Sequence, residues 1–259
     1  MGVIPRHETL FPITGSEWEG VRYGCTTRAG GVSQEPWGAL NLATHVGDDP
    51  VAVAENRLRL LRELPAQPYW LNQVHGSRVV VVSDSVIPEL PPDADAAVTA
   101  LPEVVLAIMT ADCLPIVIAD TEGRAVGVAH AGWRGLASGV LEATVSALRS
   151  LLPDSDSYRA WVGPCISQKH FEVGEEVREA FVTPDATTAP YFAPGRLPQK
   201  WQADLSAIAR HRLVKVGVQS VEISGLCTYK CDKLFHSYRR DPVCGRMATV
   251  AWLPPNNQR

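Results

Sequence analysis

Apolar residues along this chain follow two rhythms. From Asp49 onward, DDPVAVAENRLRLLREL repeats them at helical spacing. Asp49 suits an N-cap and Pro50 the first helical position, which predicts a helix over about 51–63. From Trp133, WRGLASGVLEATVSALRSLL places Leu136, Val140, Ala143, Ala147 and Leu151 on one side of a single predicted helix. DLSAIARHRLVKVG predicts a third helix, closed by Gly217. Elsewhere the apolar runs are short and continuous, as in strands buried on both faces. SRVVVVSD, EVVLAIMTAD, LPIVIAD, RAVGVAHAG, RAWVGPCIS and SVEISGLCT each predict a strand, with DTEGR (120–124) as a hairpin turn. TPDATTAPYFAPGRLPQ (183–199) reads as a long loop. Turn-joined strand pairs interleaved with helices favour an α+β fold, with mixed β-sheets flanked by helices in one domain spanning 1–259.

Composition narrows the classes. The 259 residues are 46% hydrophobic and 20% charged, with net charge −4 and both signs interspersed. No basic stripe is present to neutralise a phosphate backbone, so nucleic acid is not the expected partner. The longest apolar run is interrupted by Asp112 and Pro115, so no membrane span is expected. MGVIPRHETLFPITG lacks both a signal-peptide core and a myristoylation pattern. The expected location is the cytoplasm. There the six cysteines stay reduced. Cys25 and Cys165 read as ordinary strand residues, and Cys227 and Cys231 as structural thiols.

Three stretches place reactive groups where elements end. LNQVHG carries His75 before a strand, TADCLP carries Cys113 between two strands, and AHAGWRG carries His130 where a strand passes into a helix. Gly76 and Gly132 beside the histidines allow close approach of a substrate or another segment. Two chemistries fit. A histidine can activate Cys113 as a thiolate nucleophile. Alternatively His75, Cys113 and His130 can hold one metal ion and leave an open coordination position, the pattern of catalytic zinc. The spacing does not separate them.

The order of TTRAGGVSQEPWGALNLATHVGDDP, LNQVHG, DADAAVTA, TADCLPIVIAD, AHAGWRG, GPCIS, FEVG and CTYKCDKLFHSYRRDPVCGRMA resembles the bacterial YfiH/laccase-domain family, whose mammalian relative is FAMIN. These blocks run through nearly the whole chain. The resemblance implies an α+β domain similar in architecture to a cysteine-dependent deamidase toxin. It implies phosphorolysis of adenosine, inosine, guanosine and methylthioadenosine, together with adenosine deamination. It places metal and catalysis on His75, Cys113 and His130. Family members also carry the labels polyphenol oxidase and peptidoglycan editing factor. His236 and Cys244 depart from the pattern, where an aromatic and a Thr-like residue are expected.

Residue chemistry weighs these labels. Seven His, three Met and no His-X-His pair are a poor supply for several coppers, so zinc is expected over copper. The motif of nucleobase-editing zinc deaminases is absent. Phosphorolysis needs a phosphate ligand, and arginine forks match phosphate oxygens. Arg28, Arg134, Arg239 and Arg240 are the candidates. Asp95 or Asp112 would protonate the base or orient a ligating imidazole. Asn41 and His45 would line the pocket. The expected partners are purine nucleosides and phosphate, with the chain a monomer or small homo-oligomer. A cysteine hydrolase acting on a peptide or muropeptide is the alternative. A binding module without turnover is the third class.

Overall fold

The computed structural model describes residues 10–255, so most of the N-terminal leader reading lies outside the described residues. The strands are β1 (Arg22–Cys25), β2 (Val79–Val81), β3 (Ala96–Thr99), β4 (Leu106–Thr110), β5 (Leu114–Asp120) and β6 (Val126–Ala131). They continue with β7 (Tyr158–Val162), β8 (Glu172–Gly174), β9 (Phe192–Pro194), β10 (Lys200–Ala203), β11 (Val218–Ile223) and β12 (Met247–Trp252). The helices are α1 (Pro50–Leu61), α2 (Trp133–Ala137), α3 (Val140–Leu151), α4 (Glu175–Val182) and α5 (Leu205–Lys215). This is the expected α+β class. A six-stranded mixed sheet runs β11-β7-β5-β6-β3-β2, a second sheet runs β1-β12-β4, and a small third sheet runs β8-β10-β9.

The layers follow from the burial patterns. Every residue of β4, β5 and β6 is buried, as their unbroken apolar runs require. One face of the six-stranded sheet packs on α3 and α5 through Ile116, Ile118, Leu141, Leu148, Ile208 and Leu213. Its other face packs on the second sheet through Val117, Val128, Trp161, Leu106, Ile108 and Met247. The second sheet alternates with period two. Leu106 and Ile108 face inward, while Ala107 and Met109 face a separate cluster with Leu60 of α1. The β5–β6 hairpin closes where expected: buried Asp120 accepts from the amides of Arg124 (2.6 Å) and Ala125 (3.0 Å).

Three expectations need correction. The helix from Trp133 is two helices, because Gly139 adopts φ 94° between them, a left-handed conformation that ends the first. That break resets the phase, so α3 buries Val140, Leu141, Thr144, Val145 and Leu148 rather than Ala143, Ala147 and Leu151. The loop 183–199 contains a 3-10 turn (Ala186–Tyr191) and β9, which pairs with β10. The strand over SRVVVVSD is only Val79–Val81. Among the described residues no helix is long and apolar enough to cross a membrane.

Candidate active site

The chain crosses from the second sheet into the six-stranded sheet between β4 and β5, and Cys113 sits on that crossing. His130 is next to last in β6, paired opposite Pro115 of β5. His75 lies on the loop before β2 with φ 60°. The ligand atoms of His75, Cys113 and His130 lie within 4.8 Å of one another. The two imidazoles meet edge to face at 4.8 Å between centroids.

One buried carboxylate assembles this group. Asp95 Oδ1 accepts from the His75 amide (2.9 Å) and pairs with His130 Nδ1 (2.8 Å). Its Oδ2 accepts from the amides of Gly76 (2.7 Å) and Val74 (3.2 Å). Burial alone would raise the Asp95 pKa, but these bonds outweigh it and hold it below the ordinary carboxylate value. Since Nδ1 faces Asp95, His130 presents Nε2 to Cys113 and His75. The thiol behaves likewise: burial pushes it up, but His130 and His75 bring it below its ordinary value. Burial lowers the His130 pKa, and Cys113 together with Asp95 more than reverses this. Both shifts favour a thiolate beside an imidazolium in the metal-free pair.

Gly132 makes room for the group. A Cβ there would stand 3.0 Å from Cys113 Sγ and 3.0 Å from His75 Cδ2. Gly76 has no such duty, since a Cβ would meet its nearest neighbours at 3.6 Å and 3.7 Å. Gly135 of α2 does have one: a Cβ would sit 2.8 Å from the Gly76 carbonyl oxygen.

The trio lies on a cavity of about 470 Å³. His45, Gln73, Met109 and Ile166 contribute to its walls. Three arginines also reach it, each over an aromatic ring: Arg134 on Trp133 (4.5 Å), Arg239 on Phe171 (4.9 Å) and Arg246 on Tyr238 (5.8 Å). Among the described residues none of the three has an acidic partner within ion-pair distance. The cavity thus has an electropositive wall, suited to an anion. Burial, then Arg246 and Arg57, lower the His45 pKa, so its ring is neutral at neutral pH.

A family model described as multi-copper polyphenol oxidoreductase laccase matches residues 22–254. The chain belongs to this family, the YfiH family. A purine nucleoside phosphorylase of Pseudomonas aeruginosa is 48% identical over 233 residues, covering 90% of this chain and 93% of that protein. Purine nucleoside phosphorylase YfiH of Escherichia coli is 45% identical over 237 residues, covering 91% and 95%. Two solved YfiH-family structures share the fold. A Neisseria meningitidis protein gives a TM-score of 0.84 at 44% identity, with 91% and 95% covered. YlmD from Geobacillus stearothermophilus gives 0.83 at 29% identity, with 96% and 100% covered.

The structure brings together only some of the residues expected from sequence. His75, Cys113, His130, Asp112, His45 and Arg134 line the cavity. Asp95 stands behind the histidines and reaches no open space. Asn41 is buried and serves the chain instead: its Oδ1 accepts from the Arg246 amide (3.0 Å), so it supports a wall residue. Arg28 is elsewhere, donating to the carbonyls of Gly38 (2.8 Å) and Asp232 (3.1 Å) and pairing with Glu35. Arg240 spends its guanidinium on the carbonyls of Thr228, Tyr229 and Phe235 and on Asp241. It fastens its own loop. Arg246, Tyr238, Phe171 and Gln73 were missed. Gln73 pairs with both main-chain groups of Met109 at 2.7 Å and 2.8 Å, fixing the His75 loop to β4. The polar cluster in LNQVHG was the available signal.

The trio fits a metal. Two imidazoles and a thiolate are the donor types zinc takes, and a tetrahedral set around zinc spaces such atoms by about 3.3–3.7 Å. The ligand atoms lie within 4.8 Å of one another, so the longest separation has to close by up to roughly 1.1–1.5 Å to reach that spacing. Asp95 on the far nitrogen of His130 fixes the tautomer that leaves Nε2 free to ligate.

Proposed function

We propose that this chain is a zinc-dependent purine nucleoside phosphorylase with adenosine deaminase activity. The observation that carries this reading is the juxtaposition, in one cavity, of the His75–Cys113–His130 group and an arginine wall without counter-charges. The names of its relatives support the phosphorylase part. Adenosine, inosine, guanosine and methylthioadenosine are the proposed substrates. The cavity volume lies within the ordinary range for small-molecule sites, about 300–1,000 Å³.

In phosphorolysis a phosphate oxygen bonds to the ribose C1′, the bond from C1′ to purine nitrogen breaks, and the purine leaves with that electron pair and takes up a proton. In deamination, water adds at C6 and ammonia leaves. Arg239, Arg246 and Arg134 hold the phosphate, whose charge their forks complement. Neutral His45 can donate to or accept from the purine or ribose. Asp95 keeps His130 oriented. Zinc, held by His75, Cys113 and His130, would supply a Lewis acid beside the reacting atoms. The trio is the one group of its kind among the described residues, which fits a single-ion site better than the several coppers of a laccase. The chain acts on small molecules in the cytoplasm, apart from nucleic acid and membrane, as a monomer or small homo-oligomer.

Zinc-loaded protein given adenosine should release adenine only when phosphate is present, and inosine with or without it. Release of neither product refutes the reading. A second reading is favoured by one observation: Asp95, His130 and Cys113 form an ordered chain of the kind that activates a thiol nucleophile in hydrolases acting on peptides or muropeptides. Full activity in metal-free protein, lost on alkylation of Cys113, would establish it instead.

A further inference from the structure

We propose that Asp112 is a positioning residue that acts through Arg239 on the binding of phosphate. The inference rests on the reading of the cavity as a phosphate-using site. It assigns Asp112 a task different from the proton transfer that sequence suggests.

Asp112 occupies the crossing between β4 and β5 with φ 95°, a left-handed conformation that aspartate and asparagine tolerate better than most residues. Its carboxylate takes its hydrogen-bond partners outside the trio. Oδ1 accepts from the Thr228 hydroxyl (2.6 Å) and Oδ2 from the Arg239 amide (2.7 Å). Its own carbonyl accepts from the Ile166 amide (3.0 Å). No hydrogen bond joins Asp112 to His75, Cys113 or His130. Both oxygens are spent as acceptors across a turn-to-turn contact, and the residue is only 8% exposed. That arrangement suits a brace.

The brace ends at Arg239. Its main-chain nitrogen is fixed by Asp112. Its guanidinium lies over Phe171 and donates to the Glu172 carbonyl (3.0 Å). The contacts named occupy one guanidinium nitrogen, so others remain for an anion at the cavity wall. Asp112 thus couples the turn bearing Cys113 to the loop bearing Arg239, setting the distance between the reacting centre and the phosphate.

Three variants separate the roles. In Asp112→Asn the side-chain oxygen can still accept from the Arg239 amide, and the amide group can donate to the Thr228 hydroxyl oxygen. The brace survives while the ionisable carboxyl is gone. Asp112→Gly removes the brace without penalty at φ 95°. Arg239→Gln removes the anion ligand. Zinc-loaded proteins would be compared by calorimetric titration of inorganic phosphate without nucleoside, and by KM for phosphate against kcat. Asp112→Asn should stay within about threefold of the parent in both. Asp112→Gly and Arg239→Gln should each weaken phosphate by about 10–100-fold. The double variant should be no worse than Arg239→Gln alone. Loss of kcat in Asp112→Asn as deep as in Asp112→Gly would overturn the proposal in favour of proton transfer. Multiplying effects in the double variant, or undiminished phosphate binding in Asp112→Gly, would overturn it as well. Phosphate binding that follows this pattern without nucleoside turnover would leave the proposal standing and refute the phosphorylase reading.

Discussion

Gly132→Ala is the sharpest steric probe of the candidate metal centre. Gly132 has φ −64° and ψ 162°, which alanine adopts without strain, so the substitution adds one methyl group and little else. That methyl would stand 3.0 Å from both Cys113 Sγ and His75 Cδ2, whereas ordinary contacts begin at 3.4 Å. One or both ligands must retreat by about 0.4 Å, and metal–ligand distances tolerate only about 0.2 Å. Zinc affinity should therefore fall by about 10–100-fold, or roughly 1.4–2.7 kcal/mol. The fold should lose no more than about 1 kcal/mol, the cost of alanine in place of glycine at a helix N-cap. Chelator competition measures the affinity, and thermal unfolding of the metal-free proteins measures the fold. Gly76→Ala is the control, because its methyl would make only ordinary contacts at 3.6 Å and 3.7 Å. Parent-like zinc affinity in Gly132→Ala, or an equal loss in Gly76→Ala, would show that Gly132 does not make room for the ligands.

Other outcomes follow from the same structure. Asp95→Asn should weaken zinc by about 10–100-fold, because either amide orientation sets an NH2 against two donors, His75 N–H with His130 Nδ1 or Gly76 N–H with Val74 N–H; chelator competition checks this. Asp95 also contributes stability above its unfolded pKa, since its folded value is depressed, and that contribution is lost as pH falls through the folded value. Acid unfolding curves should show Asp95→Asn losing this acid-side dependence. In metal-free protein, alkylation of Cys113 should reach half its maximal rate near pH 6 instead of the ordinary 9.0, while Cys25 and Cys165, pushed up to about 12, stay slow; mass spectrometry of labelled peptides reads this. Gly139→Ala should cost about 1–2 kcal/mol in denaturant unfolding with KM unchanged, because φ 94° there suits glycine.

The His75–Cys113–His130 group was legible as three reactive residues at element ends flagged by short-range signals: polar LNQVHG before a strand, a cysteine between two apolar runs, a glycine opening a helix after His130; the choice of a metal role for them came from the family resemblance. The β5–β6 hairpin was legible for the same reason. What supports the site was not. Asp112 meets Thr228 and Arg239 at separations of 116 and 127 residues, which no local pattern encodes. Arg246 reaches the cavity only because β12 inserts between β1 and β4. The strand MATVAW, apolar at five of its six positions, was not among the predicted strands. Arg28 and Arg240 looked equivalent to Arg239 as charges, and Arg246 was not singled out. All four donate to main-chain carbonyls, and they differ in that Arg28 pairs with Glu35 and Arg240 with Asp241, partners visible only in three dimensions. The helix break at Gly139 was written in the sequence, but an isolated glycine inside an apolar period is tolerated often enough to hide it.

The proposed reaction is phosphate-dependent cleavage of a nucleoside at a metal-loaded His75–Cys113–His130 centre. Phosphorus NMR of zinc-loaded protein with inosine and inorganic phosphate tests it most directly. A sugar-phosphate resonance should grow in step with hypoxanthine and be abolished by chelation and by Cys113→Ser. Inosine left intact by the zinc-loaded protein, or hypoxanthine release without any new phosphorus resonance, would contradict it.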